Sequence, residues 1–198
     1  LQMHFGADYA TGEYGRVYGL DNVRKSIKWQ MSKVGTDYID YGFIHCIDSL
    51  SELDDEWDGG IVDYIQELKD EGTVHHIGIS THTPSVAQKA LDSGIVDMVM
   101  FSINPAYDWK QGEFAYGEIG ERSDLYRRCE SDGVGISVMK AFGGGQLTDA
   151  KISPFGRALT ATQCIQYALD KPGVVTVLAG VRNRDDLRTA LALSLIHI

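Results

Sequence analysis

The chain has 198 residues, 43% hydrophobic and 23% charged, with a formal net charge of −10 and a pI near 4.9. This is the make-up of a globular domain able to bury a core. No apolar run is long enough to span a membrane, and the basic residues are too scattered to neutralise a phosphate backbone, so neither nucleic acid nor an anionic membrane surface is an expected partner. Cys46, Cys129 and Cys164 lie far apart with no CxxC spacing, which suits neither a disulfide framework nor a metal knot and fits a reducing, cytoplasmic compartment.

Leu1 to Gly6 has the character of the end of a strand, with His4 near its end. The chain starts without an initiator methionine and without the basic-then-apolar layout of a secretory signal, and so reads as a fragment whose upstream part is missing. Residues 7–20 read as a loop rich in Gly, Tyr and charge. From Asp21, a candidate N-cap, the residues Val23, Ile27, Met31 and Val34 recur at helical spacing as far as Gly35. Thr36 to Cys46, TDYIDYGFIHC, is too dense in apolar residues for a half-solvated strand and suits a parallel strand covered on both faces. It delivers His45 to its end, as a chemical group or as a cap on neighbouring backbone. SLSELDDEWDGG reads as an acidic, solvated loop. A helix with Ile61, Ile65 and Leu68 on one face follows and stops at Gly72.

The alternation then repeats. HHIGIS (75–80) reads as a strand, Pro84 to Ser93 as a helix, Asp97 to Asn104 as a buried strand and 105–122 as a long loop. Ser123 to Ser131 reads as a helix and Gly135 to Lys140 as a strand. FGGGQLTDAKISPFG is a second long loop, Thr160 caps a helix, Val174 to Ala179 is a strand, and a last helix runs from Asp185. Steady strand–helix alternation predicts right-handed βαβ units and a parallel sheet, an α/β fold in one domain over 1–198. A doubly wound sheet and a (β/α)8 TIM barrel compete. The absence of GxGxxG weakens the first, and the two long loops follow strands as barrel active-site loops do. Lys140 with Gly143, Gly144 and Gly145 is the best candidate for a bound phosphate, since glycines admit close backbone approach and the lysine adds charge; a plain glycine hinge is the alternative.

Five segments, GTDYIDYGFIHCID, ELKDEGTVHHIGISTHTP, VDMVMFSINPAYD, GISVMKAFGGG and VLAGVRNRDDL, occur in an order that resembles the aldo-keto reductases over nearly the whole chain. The resemblance implies an incomplete barrel, about strands three to eight, that binds NADPH or NADH and reduces a small-molecule carbonyl. It implies that His45 hydrogen-bonds the carbonyl beside a tyrosine that would lie upstream of Leu1, so that the fragment alone is inactive. His4 falls where the family has a lysine, either as its substitute or as an ordinary strand-end residue. Ser80, Asn104 and Met139 fall at nicotinamide positions, although the partners usual there are replaced by Thr81 and Pro105, and an aromatic platform by Met139. Arg182 and Asn183 fall at the adenosine phosphate, with Asp185 and Asp186 opposing it. Longer relatives often carry a 4Fe-4S tail, absent here, and the terminal LSLIHI is unlike a family ending. Two rivals are a cofactor-binding subunit without turnover and a phosphate-site barrel lyase or isomerase.

Overall fold

Apolar runs become strands and the amphipathic stretches between them become helices. In the computed structural model, which describes residues 1–195, contacts divide the chain into a first unit, Leu1–Met100, and a second from Phe101 onward. The first unit contains β1 (Gln2–Phe5), a small antiparallel hairpin of β2 (Ala7–Asp8) and β3 (Gly15–Arg16), α1 (Leu20–Val34), β4 (Ile39–Ile44), α2 (Leu50–Asp58), α3 (Ile61–Asp70), β5 (Val74–Thr81) and α4 (Pro84–Asp92). Strand β6 (Met98–Ser102) straddles the division. The second unit contains α5 (Pro105–Asp108), α6 (Ile119–Asp132), β7 (Gly135–Met139), a 3-10 turn (Gly143–Thr148), α7 (Ala161–Leu169), β8 (Val174–Val177) and α8 (Arg184–Leu191). The pairings β1–β4, β4–β5 and β7–β8 are all parallel. The fold is α/β, part of a (β/α)8 barrel. The last three residues of LSLIHI lie outside the described residues.

Register in the first unit is set by large side chains lying on glycines of the next strand. The ring of Phe5 covers Gly42, where an added Cβ would sit 2.8 Å from it, and the ring of Phe43 covers its register partner Gly78, where a Cβ would sit 2.5 Å away. Phe5, Phe43, Ile39, Ile44, Ile77 and Ile79 are all buried. A one-residue slip would put these rings against side chains and turn the apolar faces outward.

Three stretches read as loops contain structure. SLSELDDEWDGG holds helix α2: Ser49 accepts the Glu52 amide and Glu52 accepts the Ser49 amide, a reciprocal capping box, and Leu53 buries the inner face while Asp54 and Asp55 stay exposed. The acidic run is therefore the solvated face of a helix, not a loop. The 105–122 stretch holds α5, capped by Asn104 with Pro105 at its start, and the first turn of α6, boxed by Glu118 and Glu121. Residues 7–20 hold the β2–β3 hairpin, and α1 is entered through Gly19, leaving Asp21 in its first turn.

The ring-on-glycine packing makes a stability prediction. Gly78→Ala should destabilise the chain by about 1–3 kcal/mol, the usual cost of overpacking, read as a lowered urea midpoint. Adding Phe43→Leu should recover part of the loss. A Gly78→Ala variant as stable as the wild type would mean that the Phe43 ring does not fix this register.

Candidate active site

Strands β1 and β4 run side by side, with His4 opposite Phe43 and Phe5 opposite Ile44, and the His45 amide donates to the Phe5 carbonyl at 3.1 Å. The two histidines consequently meet at neighbouring strand ends. His45 Nδ1 lies 2.9 Å from His4 Nδ1, with the rings edge to face at 4.7 Å. The other ring nitrogen of His45, Nε2, lies 2.6 Å from the hydroxyl of Tyr14. Tyr14 precedes the first residue of β3, and the hairpin aims it: the Val17 amide donates to the Gly6 carbonyl at 2.9 Å, and Gly6 takes φ +114°, a conformation that a residue with a side chain rarely adopts. Helix α1 secures the end of β1, Gln30 donating to the carbonyls of His4 (3.0 Å) and Ala7 (3.2 Å) and Ser26 to that of Ala7.

The cluster is electrostatically poor. Burial lowers His4 to about 4, and burial together with the neighbouring His4 lowers His45 to about 3, so both rings are neutral at neutral pH. Burial and then Cys46 raise the Tyr14 hydroxyl above its ordinary value, with Arg16 pulling the other way; Arg16 is itself 3.7 Å from Glu52. A neutral imidazole against a protonated phenol is a proton-transfer pair in its resting state.

Beyond β4, Asp48 accepts the His82 amide (2.6 Å), His82 Nδ1 (3.0 Å) and the Thr81 hydroxyl (3.2 Å). Burial raises the Asp48 carboxyl, and these hydrogen bonds more than offset it, holding it below its usual range. Ligand atoms of Cys46, Asp48 and His82 lie within 4.8 Å of one another, a spacing a divalent cation could use. Both Asp48 oxygens are already engaged by hydrogen bonds to Thr81 and His82, so Asp48 acts as a brace between the segment after β4 and the end of β5. Cys129 and Cys164, pushed up by burial to about 12 and about 11, stay protonated and offer no thiolate chemistry.

In the second unit the chain leaves β7 through Lys140 into three glycines. Lys140, Gly143, Gly144 and Gly145 all have positive φ, and a Cβ on Gly144 or Gly145 would meet nothing within 4 Å. The backbone there faces open space, a cavity of about 610 Å³ lined among others by Lys140, Gly144, Gly145, Gly180, Arg182 and Asp186. Asn104, fully buried, donates to the Lys140 carbonyl at 2.9 Å and caps α5 with its oxygen. The Lys140 ammonium lies 4.5 Å from the Phe114 ring centre. Arg182 is paired with Asp186 at 3.0 Å, and the Asn183 side chain accepts from the amides of Asp185 and Asp186, capping α8. Ser80 lies near the end of β5, buried, its carbonyl accepting from Ile47, and Met139 ends β7. Of the loop aromatics, Tyr107 and Phe114 pack into a small core with Ala106, Leu147 and Cys164, whereas Trp109 is exposed. His75 and His76, at the opposite end of β5, stack on Tyr38 and Tyr41.

Sequence reasoning brought out His4, His45 and the Lys140 loop and missed Tyr14, Asp48 and His82. The signal for His82 was the polar run STHTP after a strand. Nothing local marked Tyr14, which reaches the histidines only through the hairpin.

The two depressed histidines fix a pH dependence. Unfolded, each ring takes its proton near 6.5; folded, not until about 4 or about 3. The unfolded chain therefore binds more protons below 6.5. The contribution is fully present above that pH and is lost progressively as pH falls from there through about 4 for His4 and about 3 for His45. Urea midpoints followed downward from pH 7 should drop across this window, and less steeply for His4→Asn. An unchanged slope in the variant would assign the loss to other groups.

The sequence profile described as the Aldo/keto reductase family matches residues 9–158, well over half of the chain. No curated protein matches. Among solved structures, an aldo-keto reductase from Bacillus halodurans in its holo form is 20% identical with a TM-score of 0.73, the alignment covering 98% of this chain and 66% of that one. A Pseudomonas aeruginosa protein assigned to the aldo-keto reductases is also 20% identical, with a TM-score of 0.68 and the same coverage of each. This chain thus spans about two thirds of the length of the structures it matches. At these identities the structures establish the fold, and the profile establishes the lineage: the chain belongs to the aldo/keto reductase family.

Proposed function

We propose that the chain carries the cofactor-holding and carbonyl-activating residues of a nicotinamide-dependent oxidoreductase acting on aldehydes or ketones. The observation that carries this reading is the 2.6 Å contact between the Tyr14 hydroxyl and a neutral His45 at the carboxyl end of a parallel strand, because reduction of a carbonyl puts negative charge on oxygen, which a poised hydroxyl–imidazole pair can neutralise. The second-unit cavity fits a dinucleotide. Its glycine backbone is open where a pyrophosphate needs close approach, and Lys140 supplies a cation.

When bound, a reduced nicotinamide supplies the hydride. The chain's residues do the rest. Lys140 and the Gly143–Gly145 backbone would hold phosphate, Asn104 holds Lys140 by its carbonyl, and Met139, at the end of β7, would give a soft, polarizable platform for the ring. Arg182 reaches an adenosine phosphate only in competition with Asp186, which favours NADH over NADPH at this position. Asn183 supports the same loop as a helix cap. The acidic net charge accords with small-molecule substrates and opposes polyanionic ones, and the scattered cysteines accord with work in the cytoplasm. Among the described residues no helix is long and apolar enough to cross a membrane.

Fluorescence titration tests the cofactor site. Lys140→Ala should weaken NADH binding by about 10- to 150-fold, the roughly 1.5–3 kcal/mol of a charged hydrogen bond, and Asp186→Ala should improve NADPH relative to NADH. Unchanged affinities in both variants would move the phosphate elsewhere. His45→Ala should lower aldehyde-dependent NAD(P)H oxidation by about 10²–10⁴-fold with little change in cofactor affinity; full activity in that variant would reduce His45 to a strand cap.

A further inference from the structure

The segments that leave β4 and β5 carry three different metal-ligating side chains to one spot in the first unit. One ligand atom from each of Cys46, Asp48 and His82 lies within 4.8 Å of the others. Cys46 and Asp48 are half-buried and flank Ile47, which is fully buried; His82, directly after the last residue of β5, is 5% exposed. The backbones of the two segments are fixed to one another. The Ile47 amide donates to the Ser80 carbonyl at 2.9 Å, and the Thr83 hydroxyl donates to the Asp48 carbonyl at 2.8 Å. Cys46 itself takes φ +54°, a left-handed conformation that turns the chain between β4 and this tie. Cysteine spacing does not mark the cluster, because His82 lies 34 positions beyond Asp48.

We infer that Cys46, Asp48 and His82 form a binding site for a divalent transition-metal cation of the zinc type. A thiolate, an imidazole and a carboxylate are the donors of a borderline-soft ion, whereas magnesium and calcium take oxygen donors. Thiolate and carboxylate together balance the two positive charges, so the half-buried site gains no net charge. The two Asp48 oxygens divide the work. Oδ1 accepts the His82 amide at 2.6 Å and the Thr81 hydroxyl at 3.2 Å, which fixes the carboxylate as a brace. Oδ2 faces His82 Nδ1 at 3.0 Å. Nitrogen and oxygen donors on one zinc ion, each about 2.1 Å from it, stand roughly 3.0–3.4 Å apart, so this pair is already at ligand spacing. The ion takes the place of the hydrogen between them, and the imidazole then carries its proton on Nε2. The sulfur of Cys46 would stand about 3.5 Å from the nitrogen, so closing from at most 4.8 Å needs a shift of about 1 Å in one half-buried side chain. Ligation releases the thiol proton to solvent.

Three protein donors leave a four-coordinate ion one further position. Because His82 is buried and Cys46 and Asp48 keep some surface, the ion enters from solvent and keeps that position toward it, for water or a small anion. Bound there, it ties the segment after β4 to the end of β5, and it does so whether or not the chain reduces carbonyls. The other carboxylate–histidine contacts of the first unit lack this convergence. His75 lies 3.5 Å from Asp40 and His76 3.7 Å from Asp97, and among the described residues no third donor joins either pair.

Cobalt(II) and zinc(II) titrations of the 198-residue chain, tag-free and first stripped with chelator, test this. One equivalent of Co2+ should give the near-ultraviolet absorption of a cobalt–thiolate bond. Zn2+ should displace the cobalt and raise the urea midpoint of the chain. Cys46→Ser should abolish the band and weaken Zn2+ binding on the order of 100-fold or more, since changing even the partners behind a metal's ligands costs about 10–100-fold. The double variant His75→Gln/His76→Gln should bind as the wild type does. X-ray absorption of the zinc-loaded wild type reads the donors without any variant, and one sulfur with at least one imidazole is expected. A wild type without the cobalt–thiolate band, a band that survives Cys46→Ser, loss of binding in the His75/His76 variant, or a zinc shell without sulfur would each overturn the site.

Discussion

Parallel strands bring their carboxyl ends to the same edge, so the residue leaving one strand meets the residue leaving its neighbour. In the first unit this constraint governs everything that looks chemical. The β1–β4 register is enforced by Phe5 over Gly42 and extended to β5 by Phe43 over Gly78. That register, and no other, sets His4 beside His45. Slipping by one residue would turn one ring to the opposite face, because side chains alternate with a period of two. The glycines are thus as necessary to the site as the histidines, although they touch neither.

The second unit depends on a different device. Arg122, with its side chain 1% exposed, donates to Asp108 at 2.7 Å and to the carbonyls of Ser102 and Tyr116. Tyr126 and Tyr167 donate to the same carboxylate, and burial raises both phenols. A buried ion pair contributes little net stability, but breaking it strands a charge at a cost of about 3–5 kcal/mol. Here it ties the end of β6, the short helix α5, the following loop and helices α6 and α7 into one arrangement. Asn104 sits between β6 and α5, both held by that network. Its oxygen caps α5, which leaves its amide to hold Lys140.

Much of this could be read from the residues in advance. The βα alternation, the buried strand over 36–46, the position of His45 at its end and the glycine-flanked Lys140 all follow from periodicity and composition, which are local properties. What escaped falls into two kinds. Helix α2 was hidden because its acidic face dominates the composition of SLSELDDEWDGG, and the informative feature is only Ser49 with Glu52 three residues on. Tyr14 was hidden because its role depends on a hairpin of two-residue strands and a contact 31 positions away. Conversely, Asn183 is spent on a helix cap and Arg182 on Asp186, uses that a residue-type match cannot distinguish from cofactor binding.

Backbone strain marks the same places as the chemistry. Left-handed φ in a residue with a side chain costs roughly 1–2 kcal/mol, and among the described residues only Cys46, Lys110 and Lys140 adopt it outside glycine. Two of these three lie just past strands, Cys46 two residues beyond the end of β4 and after His45, Lys140 directly after Met139. At Lys140 the conformation is held by two hydrogen bonds to its carbonyl, from Asn104 at 2.9 Å and from the Gly143 amide at 2.8 Å. At Cys46 it is followed by the Ile47 amide donating to Ser80 at 2.9 Å. A chain that simply continued in extended conformation would alternate its side chains away from the strand end. The left-handed turn re-aims the chain at once, so that Ile47, after His45 and Cys46, returns to the core, and Lys140 and Ala141 both come to line the cavity. Strain persists only where surrounding bonds over-determine it, and at Lys140 those bonds come from residues that the proposed chemistry needs.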